Sequence, residues 1–142
     1  MSSGLLSLSF ASAFAGASLY CNLVEQPARL ALDENAMIDE WKPSDRRGFA
    51  LQGGLALAAA AFALLAFRSS SDIRWLVGAL IVLASWPYTY FIVVPLNNRL
   101  LALFEPRAGD KARDLVRDWG RLEWGQTVLA LSAAAVFVWA LD

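Results

Sequence analysis

Apolar residues in this chain come in four long, uninterrupted runs and not at the short periods of amphipathic strands or helices. Leu5 to Val24, Phe49 to Phe67, Trp75 to Leu96 and Trp124 to Leu141 contain no Asp, Glu, Lys or Arg. A bilayer's hydrocarbon core is about 30 Å thick and a helix rises about 1.5 Å per residue, so roughly 20 such residues cross it. The pattern predicts an all-α fold, a four-transmembrane-helix antiparallel bundle. Its spans are expected at about 5–24, 49–67, 75–96 and 122–141, within a single membrane domain over 1–142. In the first run Ala13-Phe14-Ala15 before Gly16 resembles a signal-peptide cut. No Lys or Arg precedes it and the apolar run continues beyond it, so the segment reads as a retained helix.

The polar stretches between the runs carry their own structure. Pro27 is expected to end helix 1, because proline lacks an N–H donor and disfavours the helical region for the residue before it. Asp33 then caps a short helical segment through Met37, Ile38 and Trp41, which Lys42-Pro43-Ser44 breaks, with Ser44 capping helix 2. Arg68 to Arg74 is short and Ser-rich, a tight connection between helices 2 and 3. Pro95 and Asn97-Asn98 mark the exit from helix 3, and Glu105-Pro106-Arg107-Ala108-Gly109 reads as a turn. Asp110 opens an amphipathic extension of helix 4 with Ala112, Leu115, Val116, Trp119 and Leu122 on one face. The other face pairs Asp110 with Arg113, Asp114 with Arg117 and Asp118 with Arg121. Nothing interrupts this helix from about Lys111 to Leu141.

Composition agrees with the runs. Of 142 residues 58% are hydrophobic and 18% charged, against roughly 25% charged in soluble domains. Ten of the twelve Lys and Arg residues lie in the two long connections, and only Arg68 and Arg74 lie on the opposite side. The positive-inside rule therefore puts both long loops in the cytoplasm and both termini outside, consistent with an integral protein of a bacterial inner membrane. A net charge of -1 gives no case for nucleic acid. With no histidine, His-held haem, His-based zinc and His general bases are excluded, and the single Cys21 has no base beside it to make it a nucleophile.

Polar side chains collect at one end of the bundle: Asn22 and Glu25 close helix 1, Arg47 and Gln52 open helix 2, Asn97, Asn98 and Arg99 close helix 3, and Glu123 and Gln126 open helix 4. Trp119, Glu123 and Gln126 share one stripe. One reading is a half-buried pocket in which Glu25 and Glu123 are paired carboxylates doing acid or base work. The other is that these residues pair with Arg29, Arg47 or Arg99 and stitch the helix ends together; spacing favours the second. In helix 3, Ser85-Trp86-Pro87-Tyr88-Thr89-Tyr90 sits mid-span. Pro87 should kink the helix and open room beside Tyr88 and its neighbours, either as a slot for a flat lipophilic ligand or as aromatic packing.

Four segments taken in order resemble a known family. They are Phe14-Ala15-Gly16-Ala17-Ser18-Leu19-Tyr20 leading into Leu23-Val24-Glu25-Gln26-Pro27-Ala28-Arg29-Leu30; Trp41-Lys42-Pro43-Ser44 with Arg46-Arg47-Gly48; Trp86-Pro87 followed by Pro95-Leu96-Asn97-Asn98-Arg99-Leu100; and Trp119-Gly120-Arg121-Leu122. Together these are similar to the anthrone oxygenase-like family of small four-helix membrane proteins. The resemblance implies a four-helix membrane fold and, for the few fungal members with an assigned role, oxygenation of an anthrone to an anthraquinone without a recognised metal or organic cofactor. It makes Glu25 the natural base. Bacterial relatives commonly carry His and then Arg early in the last helix, where this chain has Glu123 and Gln126.

Two function classes follow. Six tryptophans in so short a chain supply large contact areas, and the preferred expectation is a non-catalytic accessory subunit of a larger membrane complex. The alternative is a membrane oxygenase acting without a cofactor on a lipophilic anthrone, phenol or quinol. A proton-coupled exporter fits less well, because the first three spans hold no carboxylate.

Overall fold

The computed structural model describes residues 2–102 and 109–142, all of whose regular structure is helical. Four long helices account for it: α1, Ser2–Leu30; α2, Glu34–Ser70; α3, Ile73–Ala102; and α4, Gly109–Leu141. Each contains a stretch long and apolar enough to cross a membrane. The protein is an integral membrane protein with four such helices. α1 packs on α2 and α4, and α3 also packs on α2 and α4, so the four close into a ring.

The distribution of side chains is that of a bundle in lipid. The core of the distal half is mostly alanine, including Ala11, Ala56, Ala59, Ala63, Ala130 and Ala133, with Phe14, Trp75 and Phe137 as its large members. Leu57, Leu65, Leu80, Val128, Leu131 and Val138 face outward. Hydrocarbon solvates a leucine as well as a protein interior does, so close packing of small residues, and not burial of large ones, holds such helices together. Gly78 shows how close: a Cβ there would meet Phe137 at 2.3 Å. The buried Ser7 hydroxyl adds a bond from α1 to the Ala59 carbonyl of α2 at 2.9 Å.

Prolines behave differently from expectation. Helix 1 does not end at Pro27 but runs to Leu30, after one π-helical stretch at Cys21–Glu25. Helix 3 does not exit at Pro95 or Asn97-Asn98; it widens into a second π-helical stretch at Thr89–Val93 and continues to Ala102. In both cases the residue before the proline bonds one position further back, Gln26 N–H to Cys21 O and Val94 N–H to Thr89 O. The widened turn absorbs the carbonyl that the proline ring would otherwise strike. Lys42-Pro43-Ser44 breaks nothing either. Pro43 lies inside the continuous α2, so the expected short segment between helices 1 and 2 is the first turns of that helix, and Ser44 caps nothing. A chain that leaves its helix near hydrocarbon strands backbone groups, which favours bending over ending.

The remaining expectations meet the structure as follows. Asp33 caps α2, accepting from Ala36 N–H at 3.0 Å. The connection from α2 to α3 is tight, with Ser71 left-handed at φ 57°. Asp72 caps α3, and the Arg74 guanidinium beside it holds its carboxyl below the usual carboxylate range. Pro87 lies just past a break at Ala84, between Ile73–Leu83 and the short turn Ser85–Tyr88. The last helix is unbroken from Gly109 to Leu141, and Arg117–Asp114 and Arg121–Asp118 pair on its exposed face at 3.3 and 3.2 Å. Arg113 donates to the carbonyls of Leu30 and Leu32, closing the end of α1; the Asp110 side chain of the expected Asp110–Arg113 pair lies outside what the structure describes. Of the expected turn at Glu105–Gly109, positions 105–108 lie outside the described residues, and Gly109 is the first residue of α4.

Candidate functional site

All four helices contribute to one cavity of about 260 Å³. α1 supplies Phe14, Cys21 and Glu25; α2 supplies Ser44, Asp45, Gly48, Phe49 and Gln52; α3 supplies Ser85, Trp86, Thr89, Val93 and Asn97; α4 supplies Trp119, Glu123 and Gln126. Both π-helical stretches border it, through Cys21 and Glu25 on one side and Thr89 and Val93 on the other. Its volume is just under the roughly 300 Å³ at which drug-sized pockets begin, which suits a compact ligand of two or three rings. From Ser85 to Asn97 it follows about 18 Å of helix axis, so it is a slot and not a sphere.

One end of the slot is polar and rigid. Arg29 stands behind it with its side chain fully buried. Its guanidinium donates to Gln26 Oε1 at 2.9 Å, to Glu25 Oε1 at 2.7 Å and to Ser44 Oγ at 2.9 Å, and pairs with both Glu40 oxygens. Ser44 in turn donates to Glu25. The same guanidinium lies 5.1 Å over the Trp119 ring, which meets Trp41 edge-on at 6.2 Å. Gln26 also donates to the Val116 carbonyl at 2.8 Å, and Gly120 leaves room for it, since a Cβ there would lie 2.5 Å from Gln26 Nε2.

Nearer the middle the partners thin out. Glu123 is 7% exposed, lines the cavity, and has no hydrogen bond or ion pair among the described residues. Gln126 donates to Thr89 Oγ1, which donates to the Ser85 carbonyl at 2.8 Å; that order fixes the amide and leaves Gln126 Oε1 without a partner. Asn97 gives its amide to both Asp45 oxygens at 3.1 and 3.0 Å, and its own Oδ1 is unpartnered. The Trp119 indole N–H is directed at Asp45 without a well-aligned bond to it. Buried polar atoms without partners are few in folded proteins; of the five among the described residues, those of Asn97, Trp119 and Gln126 belong to the cavity lining, where a bound polar group would satisfy them, and those of Asn22 and Trp41 do not. Among the described residues no cluster of three or more metal-ligating side chains occurs.

The structure thus places Glu25, Gln52, Asn97, Trp119, Glu123 and Gln126 on one cavity. Glu25 is stitched to Arg29, whereas Glu123 is not stitched to anything described. Asn22 is buried beside the cavity, donating to Thr127 Oγ1 at 2.8 Å, and Ser18 shares that hydroxyl at 2.6 Å. Tyr88 turns away, donating to the Leu122 carbonyl at 2.7 Å. Arg47 and Arg99 are exposed and line no part of the cavity. Sequence reasoning missed Asp45, Ser44, Thr89 and Thr127. Asp45 stood in the expected first turn of helix 2, where a carboxylate reads as a complement to the helix dipole; its spacing of seven from Gln52, on the same face, was the signal that could have found it.

Comparison with known proteins supplies a second line of evidence. A family model described as anthrone oxygenase matches residues 41–136. An anthrone oxygenase of Claviceps purpurea (strain 20.1) is 32% identical over 107 residues, covering 67% of this chain and 62% of that protein. The chain therefore matches a little under two thirds of that relative's length. No solved structure matches. These similarities overturn the expectation of a non-catalytic accessory subunit, because both the family and the relative are named for an enzymatic activity.

Proposed function

The chain belongs to the anthrone oxygenase family, and we propose that it is a membrane oxygenase that takes a flat, lipophilic anthrone, phenol or quinol into the slot between its four helices. The observation that carries this reading is the Glu123 carboxylate, buried against the cavity with no described partner. A carboxylate desolvated in this way is costly to bury unless the cavity's contents engage it. A ring with an acidic C–H or O–H does so by giving it a proton.

The chemistry needs a base and dioxygen. For an anthrone, Glu123 removes a proton from the ring methylene; the C–H bond breaks and its electron pair remains on carbon. That carbon bonds to dioxygen, which is reduced to a peroxide and receives the proton held by Glu123. Loss of water breaks the O–O bond and the remaining C–H bond, leaving a carbonyl. Glu25, held by Arg29 and Ser44 at the polar end, has the secondary task of fixing that end and exchanging protons with the surface. Gln52, Asn97, Trp119 and Gln126 line the ring's site, and Asn22, Arg29 and Tyr88 hold the walls. Arg47 and Arg99 are left out of the site.

The arrangement we infer around this site is an antiparallel bundle with an amphipathic extension on the last helix. In it both termini are outside and the polar end of the slot faces the cytoplasm, a reading supported by the arginine distribution. Oxygen consumption by the purified protein in nanodiscs tests the function. Uptake that depends on an added anthrone and is lost in Glu123→Gln supports it; no uptake with any anthrone, phenol or quinol refutes it.

A further inference from the structure

Three helices each bring one side chain to the same part of the slot: Asp45 from α2, Asn97 from α3 and Trp119 from α4. Beyond the break at Ala84, α2 and α3 diverge and are held together chiefly by side chains. One of these links is the Asn97 amide, which donates to both Asp45 oxygens at 3.1 and 3.0 Å. Trp119 turns its indole N–H toward the same carboxylate without completing a bond. An ionised carboxylate only accepts, so the Asn97 nitrogen faces Asp45 and its Oδ1 faces away. That oxygen is buried and bare, as is the Trp119 N–H. Asp45 thereby anchors two groups of opposite polarity, an acceptor and a donor, and the protein satisfies neither. Both are held in place. The Trp119 ring is 3% exposed, with the Arg29 guanidinium 5.1 Å over its face and Trp41 edge-on at 6.2 Å. Asn97 owes its direction to the widened turn at Thr89–Val93, since ordinary helical bonding there would turn the rest of α3 by about 100° and carry the amide out of the slot.

The polarity of these groups selects what can sit between them. A carbonyl oxygen would take the N–H and leave Asn97 Oδ1 bare, and an ammonium would leave the N–H bare. A carboxylate or phosphate would be repelled by Asp45. A hydroxyl both accepts and donates, and a carboxylate's roughly four acceptor sites leave room for its hydrogen at Asp45 as well. Elsewhere the slot is lined by Phe14, Phe49, Trp86 and Val93, so the hydroxyl is one carried on a flat apolar ring. We propose that Asn97 and Trp119 form a subsite for a phenolic hydroxyl, which accepts from the indole N–H and donates to Asn97 Oδ1, with Asp45 as the positioning residue that aims both. Trp119 and Glu123 are four residues apart on one face of α4, about 6 Å along its axis. A ring anchored by its hydroxyl at Trp119 therefore presents an atom of the adjoining ring to Glu123. This rests on the slot being the substrate site, and names the chemical group that orients a ring within it.

Matched ligands test the subsite without turnover. Binding of anthraquinone, 2-hydroxyanthraquinone and 2-methoxyanthraquinone to the protein in nanodiscs is measured in mildly acidic buffer that keeps the hydroxyl neutral, and corrected for uptake by empty nanodiscs. The hydroxyl compound should bind about tenfold more tightly than either of the others, because the methyl ether can accept from Trp119 but has nothing to give Asn97. In Trp119→Phe, Asn97→Leu and Asp45→Asn the ratio of hydroxyl to unsubstituted affinity should fall to about twofold or less, whatever the absolute affinities become, a change that general loosening of the bundle does not produce. Equal binding of the three compounds by the wild-type protein, binding of none of them, or a hydroxyl preference that survives any of the three substitutions overturns the subsite. The comparison of ligands needs no variant, so it decides even where a variant fails to fold. A preference that depends on these residues in a protein that consumes no oxygen leaves the subsite standing and defeats the oxygenase reading; anthrone-dependent oxygen uptake without such a preference does the reverse.

Discussion

Replacing Arg29 by Met should be the most damaging single change at the polar end of the bundle. Met keeps much of the side-chain volume and removes the guanidinium, so the effect reports the charge and its bonds, not a cavity. Arg29 is fully buried, while Glu25 and Glu40 keep 28% and 36% of their side-chain surface exposed. Breaking a wholly buried ion pair costs about 3–5 kcal/mol, and an exposed one roughly 0–1. The carboxylates here can recover part of their hydration, which discounts the upper figure. The Gln26 carbonyl oxygen, bonded only through Arg29, adds back about 1 kcal/mol as a lost buried hydrogen bond. The net expectation is about 3 kcal/mol, roughly a hundredfold in the folding constant. Denaturant titration in a fixed detergent, followed by tryptophan fluorescence, measures it; Arg29→Lys should recover about half, because an ammonium keeps the charge but not the planar fork. A loss under about 1 kcal/mol for Arg29→Met would refute the reasoning and make the network a surface feature.

Three further outcomes are expected. Glu123→Gln should lower anthrone-dependent oxygen uptake by about 10²-fold or more, while Glu25→Gln should lower it less and shift its pH profile; equal retention of activity in both would remove the carboxylates from the mechanism. Gly78→Ala should destabilise by about 1–3 kcal/mol, because its Cβ would press on Phe137, whereas Gly54→Ala, with nothing within 4 Å, should stabilise by about 0.5–1 kcal/mol; thermal midpoints in detergent would separate them. Thr127→Val should cost about 1–2 kcal/mol by stranding the Asn22 amide and the Ser18 hydroxyl, and Ser18→Ala in the same protein should recover part of that loss in a double-mutant cycle.

The four spans were legible because a membrane writes its thickness directly into the length of apolar runs. The caps at Asp33 and the connection at Arg68 to Arg74 were legible for a local reason, the shape of one turn. The prolines misled because the rule for them is also local. At Pro27 and Pro95 the decision lies with backbone groups that have no alternative partner near hydrocarbon, and a widened turn satisfies them without leaving the helix. Asp45 and Arg47 both stood at the expected start of helix 2, and only their phase relative to Gln52, seven residues from Asp45 and five from Arg47, separates the inward carboxylate from the outward guanidinium. Glu25 and Arg29, one turn apart on α1, were readable as a pair. That Glu123 would be left without one was not readable, because it depends on how α2 and α3 diverge.

The two π-helical stretches have a consequence for how chains of this kind can differ in length. Each holds one residue more than an ordinary turn over the same rise, so dropping a single residue from Cys21–Glu25 or Thr89–Val93, with the following proline replaced by alanine, tightens that turn and leaves both flanking helices in place. The same deletion at Ala59 or Ala130 would rotate everything beyond it by about 100° and turn the small-residue seam toward lipid. Single-residue deletions within the spans should therefore be better tolerated at the edges of the slot than along the small-residue seam.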